Sequence, residues 1–103
     1  MNEIATAIVA LKLEAFEDRG KADFITSTDF EDIICLFNGR HSLVAEILSE
    51  EVVRKEICSM FARYVLDPTL KDAVLGFVQT ESDSEMRFES IMNAMRSLAV
   101  SVE

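Results

Sequence analysis

The feature that most constrains this chain is a lysine inside an apolar helical stretch, followed by two aspartates at the start of the next helix. At helical spacing, Lys12 shares its face with three apolar residues, Ile8, Val9 and Phe16. A lysine there either extends its ammonium group to water or meets a carboxylate, because a buried ammonium group without a partner costs several kcal/mol. Asp29 and Asp32 lie three residues apart and share one helical face. The sequence therefore predicts an ion pair between Lys12 and Asp29 or Asp32 that joins the first two helices.

Helical periodicity runs through most of the chain, and only three glycines and one proline interrupt it. This pattern predicts an all-α fold, a compact bundle of five to six helices that forms a single domain over residues 1–103. The predicted helices cover about 2–19, 28–38, 43–48, 49–66, 68–79 and 82–100. The early segment IATAIVAL is rich in β-branched residues, so a strand is the alternative there.

Three helix starts are predicted from side chains that can cap a helix. Asn2 is the predicted cap of the first helix. Two later stretches match the capping box, in which a hydroxyl residue precedes an acidic residue by three positions. These stretches are Thr28 with Glu31 and Ser82 with Glu85.

Each glycine has a predicted structural task. Gly20 is expected to end the first helix in a left-handed conformation, and Gly39 to end the second helix. Gly76 lies inside the fifth predicted helix, where glycine is less favourable than alanine by about 1 kcal/mol. We therefore expect another stretch of backbone to pass close to Gly76.

Charge and hydropathy disfavour two classes of partner. The chain carries 19 acidic against 10 basic residues, a net charge of −9. A duplex-binding protein needs a basic face that displaces counterions, so nucleic acid is disfavoured as a partner. No apolar run approaches the roughly 20 residues of a membrane span, and the first residues lack the basic start of a targeting segment. We expect a cytoplasmic protein that does not engage a membrane.

The two cysteines, Cys35 and Cys58, lie in apolar helical stretches and are predicted to be reduced thiols in the core. Their spacing is not that of zinc ligands, and His41 is the single histidine. No metal site is therefore expected.

Two interpretations of the Lys12 pair remain open. In the structural one, the ion pair fixes how the first two helices cross. In the functional one, Lys12 faces a phosphate and an aspartate orients it. Arg19 follows Lys12 by seven residues, on the same side two turns on, and Lys21 is a further nearby cation. Arg40 lies in a loop that can reach the same region, so Lys12, Arg19 and Arg40 are the candidate phosphate-binding residues.

The stretch from Lys12 to Arg40 also follows a family pattern. It reads KLEAF at 12–16, DRG at 18–20, DFEDI at 29–33 and NGR at 38–40, in the order K-L-x-A-x-x-x-R…D-x-x-D-[IL]. These 29 residues resemble the C-terminal signature of nucleotidyltransferase-like proteins, relatives of the abortive-infection and type IV toxin nucleotidyltransferases. The resemblance implies a helical half that closes over a nucleotide.

The same resemblance implies roles for individual residues. Lys12 would contact phosphate together with Arg19, and Asp29 or Asp32 would orient the lysine or assist the acceptor. Lys12, Asp29 and Asp32 are thus the candidate catalytic residues. In that family, a Gly-Ser turn and an Asp-x-Asp strand in the N-terminal half hold the divalent metals that phosphoryl transfer needs. This chain contains neither motif, so we expect no catalysis by it alone, and a nucleotide with Mg²⁺ only if a partner completes the site.

Two functions are expected from these features. The first is a module that binds nucleotide phosphate, or completes a site with a separately encoded N-terminal half. The second is a small helical interaction protein that forms a homo-oligomer through helix one, because that helix is apolar on most of its sides. Three methionines of the last helix either form an adaptable partner surface or fill the core, namely Met86, Met92 and Met95.

Overall fold

The structure, a computed structural model, describes residues 3–20 and 23–101, and the described part is an all-α bundle. Six α-helices and one π-helical turn make up the fold. They are α1 (Glu3–Ala15), the π-turn (Phe16–Gly20), α2 (Thr28–Gly39), α3 (Leu43–Leu48), α4 (Glu51–Tyr64), α5 (Pro68–Val78) and α6 (Ser84–Ala99). The prediction of a compact bundle of five to six helices is confirmed. The strand alternative for the first segment is wrong, because that segment is helical within α1.

The helix α6 lies at the centre of the packing. It contacts α2, α3, α4 and α5, whereas α1 packs on the other side of the bundle against α2, α3 and α4. The radius of gyration of 12.6 Å is close to the ~13 Å expected for a compact chain of this length. Met92 and Met95 of α6 are buried in the core, and Met86 is exposed. Core filling therefore accounts for two of the three methionines.

A cluster of aromatic rings fastens the end of α1 to the rest of the bundle. Its ring centroids lie 4.8 to 5.9 Å apart, at the distances of favourable edge and offset contacts. The cluster is centred on Phe16, Phe24, Phe30 and Tyr64, and Phe61 and Phe37 extend it towards α4 and α2. The π-turn, the connector before α2 and the helices α2 and α4 are thus held together by one apolar contact network.

Two of the predicted caps are displaced by one residue each. The N-cap of α2 is Ser27, whose hydroxyl accepts a hydrogen bond from the backbone N–H of Phe30 at 3.1 Å. Thr28 is instead the first residue inside the helix, so the predicted capping box at Thr28 is wrong. The N-cap of α6 is Asp83 and not Ser82. The carboxylate of Asp83 is bonded to Arg87, the residue four positions on in the same helix.

The predicted end of α2 and the predicted start of α5 agree more closely with the structure. Gly39 is the last residue of α2, and Asp67 caps α5 by accepting a hydrogen bond from the Thr69 N–H, with Pro68 in the first turn. The predicted cap Asn2 and the cation Lys21 lie outside the described residues.

Two predictions about the interior are wrong. A Cβ atom built on Gly76 meets nothing within 4 Å, so no backbone passes close to it. Cys58 is buried as predicted, but Cys35 is exposed because it faces outward from α2. Both thiols are free. Within residues 3–20 and 23–101, no helix has both the length and the apolar character to cross a bilayer.

One buried polar atom of α1 has no partner among the described residues. The Oγ1 atom of Thr6 on α1 is buried and makes no hydrogen bond with any described residue. A buried unsatisfied hydroxyl costs about 1–3 kcal/mol, whereas valine has nearly the same shape and no such group. We therefore expect Thr6→Val to raise the free energy of unfolding by about 1 kcal/mol in urea titrations.

A matched control is Thr69→Val, because the Thr69 hydroxyl donates to the Asp67 carboxylate at 2.7 Å. This substitution is expected to destabilise the protein. A loss of stability in Thr6→Val would show that its hydroxyl finds a partner in solution.

Candidate functional site

The predicted ion pair between the first two helices is present. The Nζ atom of Lys12 lies 2.8 Å from Oδ2 of Asp32 and 3.6 Å from Oδ1 of Asp29. Lys12 is near the end of α1, and both aspartates are in the first half of α2, which packs directly on α1. One ammonium group therefore bridges two carboxylates that the helical spacing of three residues places side by side.

The π-turn brings a second cation to the same carboxylates. The Nη2 atom of Arg19 donates to Oδ2 of Asp29 at 2.8 Å. The π-turn begins at Phe16, whose ring is fully buried in the aromatic cluster, and this burial fixes the direction in which Arg19 leaves the helix. Lys12, Asp32, Asp29 and Arg19 thus form one connected network, named here the α1–α2 charge cluster. Its formal charges sum to zero.

Asp29 is the enclosed member of this cluster. It is one of two buried polar residues in the described chain, and it lies in the first turn of α2 just after the Ser27 cap. An acidic residue is favoured there by the partial positive charge of the helix N-terminus. Asp32 and Arg19 are mostly exposed, and Lys12 is about one-third exposed. The cluster is therefore buried on one side and reaches the surface on the other.

The charges in the cluster stabilise one another. The hydrogen bond from the Arg19 guanidinium is the main reason that the pKa of Asp29 lies below its ordinary value. Desolvation of the carboxylate opposes this lowering, and the positive charges of Arg19 and Lys12 add to it. The hydrogen bond to Asp32 is the main reason that the pKa of Lys12 is raised. Each of the four side chains in the cluster therefore has a partner of opposite sign.

Arg40 does not join this cluster. It follows the last residue of α2, so about 16 Å of helix axis separate it from Asp29. Its Nε atom donates to Oε1 of Glu46 on α3 at 3.0 Å, and Ser42 donates to the other oxygen of that carboxylate. The structure therefore brings together Lys12, Arg19 and the two aspartates, and leaves Arg40 at the opposite end of α2.

A contact that the sequence does not reveal holds the π-turn in place. The hydroxyl of Tyr64 on α4 donates to the Glu17 carboxylate, and Arg63 lies 3.6 Å from the same carboxylate. Burial, reinforced by Glu17, raises the pKa of the Tyr64 hydroxyl well above its ordinary value. The two residues are 47 positions apart, so no local spacing pattern could have indicated the contact. It anchors the segment that carries Arg19.

The surface beside the cluster is a shallow polar depression at the N-terminus of α2. It encloses about 330 Å³ and is lined by Arg19, Thr26, Ser27, Thr28 and Asp29. Arg19 and the helix N-terminus favour an anion there, but the Asp29 carboxylate opposes it. Among the described residues, no group of three or more histidine, cysteine, aspartate or glutamate side chains could hold a metal ion.

The lowered pKa of Asp29 predicts how the stability of the fold changes at acid pH. A carboxylate whose folded-state pKa is depressed stabilises the fold above its unfolded value, near pH 4, and loses that contribution as pH falls through the folded value. We expect Asp29→Asn to lower the melting temperature by about 5 °C at pH 7. The gap between the two proteins should narrow steadily below about pH 4.

Asp72→Asn is the control, because Asp72 is an exposed acid of α5 outside the cluster. Asp72→Asn should lower the melting temperature at pH 7 by much less than Asp29→Asn does, because substitutions at exposed positions usually change stability little. A gap for Asp29→Asn that stays constant down to pH 2 would mean that the charge of Asp29 does not contribute.

Comparison of the chain with protein-family models, with curated proteins and with solved structures finds no match. The likeness of residues 12–40 to the nucleotidyltransferase signature therefore rests on the motif, and the roles that it implies for Lys12, Asp29 and Asp32 stay predictions. The function has to be inferred from the geometry of the described surface.

Proposed function

We propose that this protein is a helical interaction module that pairs with a second copy of itself through the outer face of α1. The observation that carries the proposal is the exposure of large aliphatic side chains on that one face. Ile4 is 72% exposed, Leu11 is 65% exposed and Ile8 is 38% exposed, and the small side chain of Ala7 lies among them. Together they form the α1 outer face.

None of the four described residues that form this face carries a charge. Lys12 borders it on the side of α2, where its ammonium group is held by the two aspartates. Glu14 borders it on the side of α4, where it lines a groove. That groove, about 120 Å³ in volume, adds Leu11, Val53 and Met60 to the apolar surface, and Glu56 lines it together with Glu14. An uncharged strip with charged borders resembles the apolar core and polar rim of protein interfaces.

A second copy is the occupant that this surface fits best. A twofold interface places the same patch on both subunits, so an uncharged strip faces an uncharged strip without opposing like charges at its centre. The net charge of −9 on each copy still repels the other copy at long range. Salt shortens the Debye length from ~30 Å at 0.01 M to ~8 Å at 0.15 M. Association through the α1 outer face should therefore strengthen as salt is added.

The test is the mass of the protein in solution. Light scattering and sedimentation at micromolar concentration are expected to give a dimer at 0.15 M salt, with a dissociation constant that rises at least tenfold at 0.01 M salt. Leu11→Glu should yield a monomer, because it places a charge at the centre of the uncharged strip.

Leu66→Glu is the matched control. Leu66 is 82% exposed and lies in the connector between α4 and α5, so it is not part of the α1 outer face. Leu66→Glu introduces the same charge in place of the same side chain as Leu11→Glu does, and it should leave the dimer intact. A monomeric mass for the unmodified protein at 0.15 M salt would overturn the proposal.

A second candidate function is the completion of a nucleotidyltransferase-like site with a separately encoded N-terminal half. The observation that favours it is the bridging of Asp29 and Asp32 by Lys12, the contact that links the three residues of the motif. Lys12 follows Ile8 by one helical turn, so a partner that covers the α1 outer face comes next to its ammonium group. In this function the phosphate of a nucleotide would compete with Asp32 for Lys12.

Calorimetry with a nucleoside triphosphate and Mg²⁺ tests this candidate, on the chain alone and mixed with the product of an adjacent gene. Heat that disappears in Lys12→Met supports phosphate binding at Lys12. Thermal unfolding of Lys12→Met checks the variant, because Asp29 keeps Arg19 as a partner and Asp32 is open to water. Absence of heat in both titrations would remove the candidate.

A further inference from the structure

A groove between α2 and α5 is a second surface, separate from the α1 outer face. Its base includes the buried side chain of Ile34, and its walls are the exposed Ile25 and the half-buried Phe77. It encloses about 260 Å³, less than the roughly 300–1,000 Å³ of typical small-molecule pockets. The groove is therefore of a size to accept an apolar side chain from a peptide segment.

Gly76 keeps this groove open. It lies within α5, where glycine is less favourable than alanine, and a Cβ atom built on it meets nothing within 4 Å. Packing inside the chain therefore gives no reason for a glycine at this position. A side chain on Gly76 would extend into the groove that the glycine lines.

The charges around the groove define what can enter it. Two ionisable side chains line it, Glu31 of α2 and Asp72 of α5, and both are exposed carboxylates. Neither makes an ion pair within the described chain. Two exposed carboxylates beside an apolar groove attract a ligand that combines an apolar group with cationic groups.

We propose that the α2–α5 groove binds a short peptide segment of another protein, in which an aliphatic or aromatic anchor is flanked by lysine or arginine. The anchor enters the space above Gly76, between Ile25 and Phe77. The flanking cations pair with Glu31 and Asp72. A second copy of this chain is a poor occupant, because its net charge of −9 opposes the carboxylates at the groove.

The test uses two probe peptides and the amide NMR spectrum of ¹⁵N-labelled protein. The first peptide is acetyl-Lys-Leu-Phe-Lys-amide, and the second is acetyl-Glu-Leu-Phe-Glu-amide. The lysine peptide is expected to shift the amide signals of Ala73, Gly76 and Phe77 saturably. Its dissociation constant should rise at least threefold between 0.02 M and 0.3 M salt, because the charge pairs are exposed. The glutamate peptide should give no saturable shift.

Two kinds of variant locate the site. Gly76→Leu fills the groove and should weaken binding of the lysine peptide at least tenfold. Ser59→Leu adds the same side chain at an exposed position of α4 and should not change binding. The double substitution Glu31→Lys with Asp72→Lys should reverse the preference, so that the glutamate peptide binds and the lysine peptide does not.

Three results would overturn the proposal. They are the absence of saturable shifts with the lysine peptide up to millimolar concentration, binding that Gly76→Leu leaves unchanged, and groove signals that depend on protein concentration alone. The last result would identify a second copy as the occupant. If Gly76→Leu does not give the dispersed spectrum of a folded protein, the double substitution Glu31→Lys with Asp72→Lys tests the proposal by itself.

Discussion

The enclosed carboxylate of Asp29 is the constraint on which the arrangement of the first two helices depends. A buried carboxylate requires cations, and the structure supplies one from α1 and one from the π-turn, at 3.6 Å and 2.8 Å. Lys12 and Arg19 are therefore already paired with carboxylates of the same chain. An external anion would have to compete with these carboxylates for them. This competition is the physical reason why association ranks above phosphate binding as the proposed function.

The aromatic cluster and the charge cluster depend on each other through the π-turn. Phe16 begins this turn with its ring against Phe30 and Tyr64, and Arg19 near its end reaches Asp29. The hydrogen bond from Tyr64 to Glu17 fixes the second residue of the turn. π-Helical segments are rare and often accompany functional sites, because the wider turn redirects side chains. Here the redirected side chain is Arg19, and the wider turn allows an apolar and an ionic contact to be satisfied together.

The fold and the main ion pair could be predicted from the sequence because both follow from local spacing. Helical periodicity defines the helices, and the spacing of Asp29 and Asp32 presents both carboxylates to one neighbouring helix. The cap of α2 was missed by one residue because Ser27 and Thr28 are adjacent hydroxyl residues and only the backbone geometry distinguishes them. The position of Arg40 was not predicted, because it depends on the ion pair that Arg40 makes across a loop with Glu46. The contact of Tyr64 with Glu17 arises only from tertiary packing.

The two proposed surfaces differ in electrostatic character and share no residue. The α1 outer face is uncharged and suits a copy of the same acidic chain, whereas the α2–α5 groove carries two carboxylates and suits a cationic segment. A groove that holds a single side chain binds weakly by itself, because little apolar area is removed from water. A dimer formed through α1 presents two such grooves, and a partner with two cationic segments would bind the second at an effective concentration set by its linker. Pairing through α1 would thus raise the apparent affinity for a partner with two cationic segments, without any new contact in either groove.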